Sequence, residues 1–219
     1  MKRILAILAV QLACGLGARA DFIMNAVPTA IPDNNALGVQ QTLELSGFSG
    51  PIESVSVRLT ISGINGGAFN GDLFVTLQHD SGYSVLLNRV GRTSLDPFGY
   101  ADNGFDLTFT AAGNDIHAYQ SGVYTLGGSG ELTGTWGADG RTTDPLSVVA
   151  TDSRTSTLSS FNGLDANGTW TLFVADTSQN GEAQLDSWGL EVTVVPEPST
   201  VAFMALGLVA LAARRRAMA

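Results

Sequence analysis

Apolar and polar residues alternate through most of the chain, and the clearest case is Ser54–Ile61. There Val55, Val57, Leu59 and Ile61 alternate with Ser54, Ser56, Arg58 and Thr60. Residues two apart share one face of a strand, so this segment predicts a strand with one buried and one wet face. Gln41–Ser46 predicts a shorter strand. In Asp72–Gln78, Leu73, Val75 and Leu77 fall on one face, His79-Asp80-Ser81-Gly82 turns the chain, and Ser84–Asn88 returns. Phe105, Leu107 and Phe109 alternate in a further strand. The strongest stretch is Gly168–Val194. Trp170, Leu172 and Val174 alternate with Thr171, Phe173 and Ala175, and Trp188, Leu190, Val192 and Val194 alternate likewise with Gly189, Glu191 and Thr193. Turn-forming residues fill Asp176 to Gly181 between them, which predicts a hairpin bringing two tryptophans into the core from adjacent strands.

Residues 21–40 are rich in proline and read as an irregular approach to the fold. Residues 111–160 carry the weakest pattern, with Gly127-Gly128-Ser129-Gly130 and one expected short strand at Leu146–Val149. No helical periodicity and no fixed repeat occurs between 21 and 195. Many short strands separated by turn signals predict an all-β sandwich or barrel.

Composition narrows the function. Residues 21–195 hold five arginines, no lysine and nineteen acidic residues, a formal charge of −14. Phosphate binding needs clustered Lys and Arg, so nucleic acid is excluded as a partner class. The single cysteine, Cys14, lies in the N-terminal leader, so the domain has neither disulfide nor thiol and depends on core burial.

Both ends read as targeting segments. Lys2 and Arg3, the apolar run Ile4–Val10 and Ala18-Arg19-Ala20 form a signal peptide over 1–20, cut by signal peptidase after Ala20. A lipoprotein signal at Cys14 is disfavoured, because Gln11 stands where Leu is usual. At the other end, Pro196-Glu197-Pro198 precedes an uncharged run, 201–213, and then Arg214-Arg215-Arg216. A spanning helix needs about 20 apolar residues, so this short hydrophobic helix suits a thinned bilayer or a transient stop. The arginines orient it with the domain outside. The chain then divides into a signal peptide (1–20), one sandwich (21–195, core about 31–194) and a tail (196–219) with a transmembrane segment at 201–213.

The order P-E-P, short apolar helix, terminal arginines resembles the PEP-CTERM sorting signal of Gram-negative bacteria. The resemblance implies export, a membrane-anchored precursor, processing near Pro196–Pro198 by an exosortase-type protease, and a final place at the cell surface or outside it. It also implies company with exopolysaccharide production.

A second resemblance covers about 31–194. Ile31-Pro32-Asp33-Asn34, Val55–Ile61, Gly71-Asp72-Leu73, Leu77, Gly82, Phe161, Gly163, Gly168-Thr169-Trp170-Thr171-Leu172, Asp176, Gly181 and Leu185-Asp186-Ser187-Trp188-Gly189-Leu190 look like the P domain of proprotein convertases (P/Homo B). That family implies a jelly-roll β-sandwich of the galactose-binding-like type. The chain departs from it at His79-Asp80, where the family often has Ser-Pro, and in a long 111–160 region. In convertases the domain steadies a protease domain. No protease domain accompanies it here, so the resemblance implies a fold and not peptidase activity.

Residue chemistry agrees. A serine hydrolase needs a nucleophile, a His base and a carboxylate. His79 and His117 are the only histidines, both expected at the surface, and no G-x-S-x-G motif occurs. Two distant histidines do not make a zinc site. Asp176-Thr177-Ser178-Gln179-Asn180-Gly181 imitates half of an EF-hand loop, but Ser187 replaces the bidentate Glu, so it reads as a turn. Asp72, Asp102, Asn103 and Asp106 are the candidate calcium ligands at one rim of the sandwich. Tyr83, Tyr100, Tyr119, Tyr124 and Trp136 are the candidate sugar-stacking aromatics. Asn167-Gly168-Thr169 fits the glycosylation sequon and reads as the start of a strand. The first expectation is a non-enzymatic exported protein binding exopolysaccharide or a surface protein. The rivals are an accessory P domain docked on a separately encoded protease, and a hydrolase using Asp102 or Asp106.

Overall fold

The computed structural model describes residues 22–195. The signal peptide, its cleavage site Ala18–Ala20, and Pro196, Glu197, Pro198, the apolar run and Arg214–Arg216 lie outside the described residues. Among the described residues no helix is long and apolar enough to cross a membrane.

Two sheets pack face to face. The smaller has four strands, β3 (Asn35–Leu45), β10 (Gly168–Asp176), β5 (Leu73–His79) and β6 (Gly82–Asn88), in that order. The larger runs β1 (Ile23–Asn25), β11 (Glu182–Val194), β4 (Ile52–Asn65), β7 (Phe105–Phe109), β9 (Leu132–Trp136), β8 (Thr125–Leu126), with β2 (Thr29–Ile31) also on β11. The expected all-β sandwich is therefore present, and the chain crosses between its sheets repeatedly. Among the described residues, helical structure is limited to short 3₁₀ turns at Asn70–Asp72, Ile116–Ser121 and Leu158–Phe161.

The inward set is the one the alternation marks. Val55, Val57, Leu59 and Ile61 of β4, Leu73, Val75 and Leu77 of β5, and Phe105, Leu107 and Phe109 of β7 are buried. Trp170 and Trp188 are completely buried, and each indole N–H finds an acceptor, on the Ala166 carbonyl and on Gln41 Oε1. That satisfaction lets an indole be buried without an orphaned donor.

The hairpin expected over 168–194 is not formed. β10 pairs with β3 and β5, while β11 pairs with β4, β1 and β2, so the two strands lie in opposite sheets. The turn between them crosses the sandwich, tied by the Thr177 amide and hydroxyl, both donating to the Asp72 carbonyl. Alternation reports which face of a strand is buried and is silent about its partner.

Other expectations change as well, and residues 21–40, read as irregular, hold β1, β2 and the first half of β3. Leu146–Val149 is turn and loop rather than strand, and residues 111–160 instead supply β8 and β9. Both histidines are buried, not at the surface. His117 belongs to a charged network that fixes the long loops. Its Nδ1 lies 2.8 Å from Asp139 Oδ2, and Arg141 bridges Asp139 at 3.1 Å and Asp115 at 2.7 Å. Arg141 and Arg154 also donate to the carbonyls of Ala150 and of Ala138 and Asp139. Burial pushes the Asp115 carboxyl up, but hydrogen bonds from Arg141 and the His117 amide, with the Arg141 charge, outweigh it and hold the group below its ordinary value.

Candidate binding site

One end of the sandwich gathers the starts of β3, β5 and β11 and the ends of β6 and β10. A groove of about 530 Å³ opens there. Asn34 contributes from the turn before β3, Arg89 and Arg92 from the segment after β6, and Thr177–Asn180 from the crossing between the sheets. Pro97, Phe98 and Leu146 come from two loops.

Arginine side chains hold those loops in place. Arg89 Nε donates to the Gly71 carbonyl at 2.8 Å and its Nη2 to the Pro97 carbonyl at 3.1 Å. Arg92 donates from Nη1 to the Val148 carbonyl at 2.8 Å and from Nη2 to the Leu146 carbonyl. Gly71 completes the arrangement, since a Cβ there would lie 2.0 Å from the Phe98 carbonyl oxygen. Only a glycine lets the 93–99 loop lie this close to the start of β5. The loops thus present Phe98, 69% exposed, and Leu146, 65% exposed, beside the amides of Asn34, Gln179 and Asn180.

Beneath the groove lie two nearly inaccessible carboxyls. Asp72 is 4% exposed and Asp176 2%. Arg89 Nη2 reaches Asp72 Oδ1 at 3.5 Å, and Asp176 Oδ1 accepts from the Ser178 amide at 3.2 Å. Burial pushes Asp72 up to about 6 against the pull of Arg89. Burial likewise pushes Asp176 up to about 6, with Asp72 and Asp33 adding to the rise.

The four candidate calcium ligands sit at this same end but do not form one ligand set. Asp72 faces Arg89. Asp102 Oδ2 accepts from the Tyr119 hydroxyl at 2.6 Å and from Gln120 at 2.7 Å. Asn103 is spent on the Ala68 amide and the Ser129 carbonyl. Asp106 lies on β7 and faces Arg58 at 3.6 Å. Each of the four has a partner within the protein, and among the described residues no three His, Cys, Asp or Glu side chains are grouped to hold a metal ion.

The expected aromatic platform also divides. Tyr119 and Trp136 are buried, and Tyr119 packs against Tyr100, Tyr124 and Trp136 with ring centroids 4.5, 5.5 and 6.0 Å away. Burial raises the Tyr119 hydroxyl well above its ordinary range, with the Asp102 hydrogen bond adding to it. Phe98 is the exposed aromatic at the groove, and it lies outside any periodic segment. Pro97 and the adjacent glycine mark its loop but do not single it out. Asn167 of the sequon is engaged with Phe48 and Asp165.

Comparisons with known proteins bear on the two ends of this picture. No curated protein matches the chain. A solved structure, a serine protease of Aeromonas sobria in complex with its chaperone, aligns with a TM-score of 0.44 and 17% identity. The alignment covers 80% of this chain and 26% of that one, so this chain spans about a quarter of the other's length. Residues 141–192 match the proprotein convertase P-domain model. Residues 194–216 match the PEP-CTERM protein-sorting motif, so the chain carries the sorting signal of an exported protein, and the P-domain match stops just before it.

Proposed function

We propose that this protein is an exported, non-enzymatic binding module whose groove takes a polysaccharide of the cell surface or extracellular matrix. The groove carries the reading. Sugar recognition combines an apolar face for the ring's C–H surface with fixed polar groups for its hydroxyls. Phe98 and Leu146 supply the first, and Asn34, Thr177, Gln179 and Asn180 the second. Neither histidine is among the residues lining this opening, and both are buried with hydrogen-bond partners on both ring nitrogens. Sorting by an exosortase-type protease delivers the module, in keeping with the tail motif.

The test is retention of the detergent-purified full chain on the producing bacterium's exopolysaccharide, with and without a chelator. Retention that Phe98→Ala abolishes, with unchanged thermal unfolding, is the expected result. Retention unchanged by Phe98→Ala would place binding elsewhere, and chelator-sensitive retention would return calcium to the site. The P-domain match favours a second reading, an accessory domain docked on a separately encoded protease. Co-purification with a protease, and no retention on polysaccharide, would select it.

A further inference from the structure

The position where the chain departs from the P-domain pattern is a buried ring with an unusual pair of partners. His79 ends β5 at the pole opposite the groove. Its Nδ1 lies 2.9 Å from the Thr169 carbonyl oxygen and its Nε2 2.7 Å from the Asp165 carbonyl oxygen. A carbonyl oxygen only accepts, so each nitrogen must bring a proton to make its bond. A neutral imidazole carries one such proton and leaves one contact without a donor. The ring also lies flat on Trp170, with centroids 4.2 Å apart and planes 5° from parallel. Stacking over an indole face favours a cation.

We infer that His79 is a doubly protonated latch that closes this pole in acid and loosens as the pH rises. The imidazolium joins three segments: the end of β5, the start of β10 through Thr169, and the Asp165–Asn167 segment that leads into β10. The titratable side chains on the elements around it are Asp80 in the turn, Tyr83 on β6, Glu44 on β3 and Asp165. Asp165 is held below its ordinary value by hydrogen bonds to the Asn167 amide and side chain, with the His79 charge adding to this. Glu44 is engaged by the Thr169 hydroxyl. The folded state binds the second proton because two acceptors are fixed in place, and the unfolded chain offers nothing comparable. The latch's stabilisation is therefore present in acid and is lost as the pH rises.

The experiment compares urea unfolding of the full chain in detergent at pH 5 and pH 8, for wild type and His79→Gln. A glutamine amide cannot donate in both directions from these two positions. A hydrogen bond from a charged donor, set against typical urea slopes, leads to a wild-type midpoint about 1 M lower at pH 8 than at pH 5. Buried Asp72 and Asp176 drift the same way, so the reading is the part of the fall that His79→Gln removes. Equal pH dependence in the two proteins overturns the inference. Should the variant not fold, nitrogen NMR of the wild-type imidazole at about pH 7.5, where a free imidazole has lost its second proton, decides. Two protonated ring nitrogens support the latch, and one unprotonated nitrogen overturns it.

Discussion

Asp72 and Asp176 show how neighbouring residues of one type take different roles. Each is buried, and each titrates in the folded protein near 6, above the ordinary 3.8. A raised carboxyl binds its proton more tightly in the folded state, so its contribution to stability is complete below about 3.8 and falls as pH rises through about 6. The two differ in their partners. Asp72 neutralises a guanidinium that is itself only 6% exposed. Asp176 is held by an amide, and its charge lies against those of Asp72 and Asp33. Asp176→Asn keeps the Oδ1 acceptor and removes the buried charge, so it is expected to stabilise the protein by about 1 kcal/mol at pH 8. It should also flatten the loss of stability between pH 4 and pH 7. Asp72→Asn also takes the counter-charge from Arg89, which offsets that gain, so it is expected to leave stability at pH 8 about unchanged. Urea unfolding of both variants at pH 5 and pH 8 checks the contrast, and two variants that behave alike would show that the Arg89 pair carries no special weight.

Among elements, the strands and the long loops are held by different means, and this explains what the sequence let one read. β4, β5, β7, β10 and β11 bury one face against the opposite sheet, so their alternation is visible without any partner. Residues 111–160 are held by Arg141 and Arg154 reaching backbone carbonyls, by Asn88 donating to the Arg141 and Thr143 carbonyls, and by the Asp115–Arg141–Asp139–His117 chain. Such contacts impose no period on the sequence, which is why β8 and β9 were not legible and Leu146–Val149 misled. The groove was illegible for a related reason. Phe98 matters through the position of a stapled loop, and Asp72 meets Asp176 only because the chain crosses between sheets, which alternation cannot report. Arg141→Met tests the loop account. It leaves Asp115 and Asp139 without their shared cation and is expected to cost about 3–5 kcal/mol. Hydrogen exchange should quicken first at the Asp139, Gly140, Thr155 and Ser156 amides, which hold this region to β6 and to itself. Uniform loss of protection across β10 and β11 as well would show that the network supports the whole sandwich.

At the scale of the molecule, the register fixes two poles. β11 begins at Glu182, immediately after the groove residues Thr177–Asn180, and ends at Val194, where the sorting motif starts. Thirteen residues of strand separate these points, about 40 Å. β1 lies antiparallel on the far half of β11, with Ile23 opposite Leu190, so the chain also enters the fold near the tail pole. Between Val195 and the apolar run at 201 stand five residues, which reach at most about 18 Å when fully extended. That is less than half the length of β11. If the tail holds the precursor in the membrane, the tail pole with His79 stays beside the bilayer, and the groove is carried well beyond it, open to a ligand in front of the cell. The domain's lack of cysteine makes this measurable. Gln179→Cys places a thiol at the groove, and Ser46→Cys places one after β3 at the tail pole. Both side chains are exposed, so in detergent they should react with a bulky maleimide at similar rates. On the membrane-held precursor, Gln179→Cys should keep its rate while Ser46→Cys slows. Equal slowing would mean that the groove also faces the membrane, and no slowing at either position would mean that the tail does not hold the domain there.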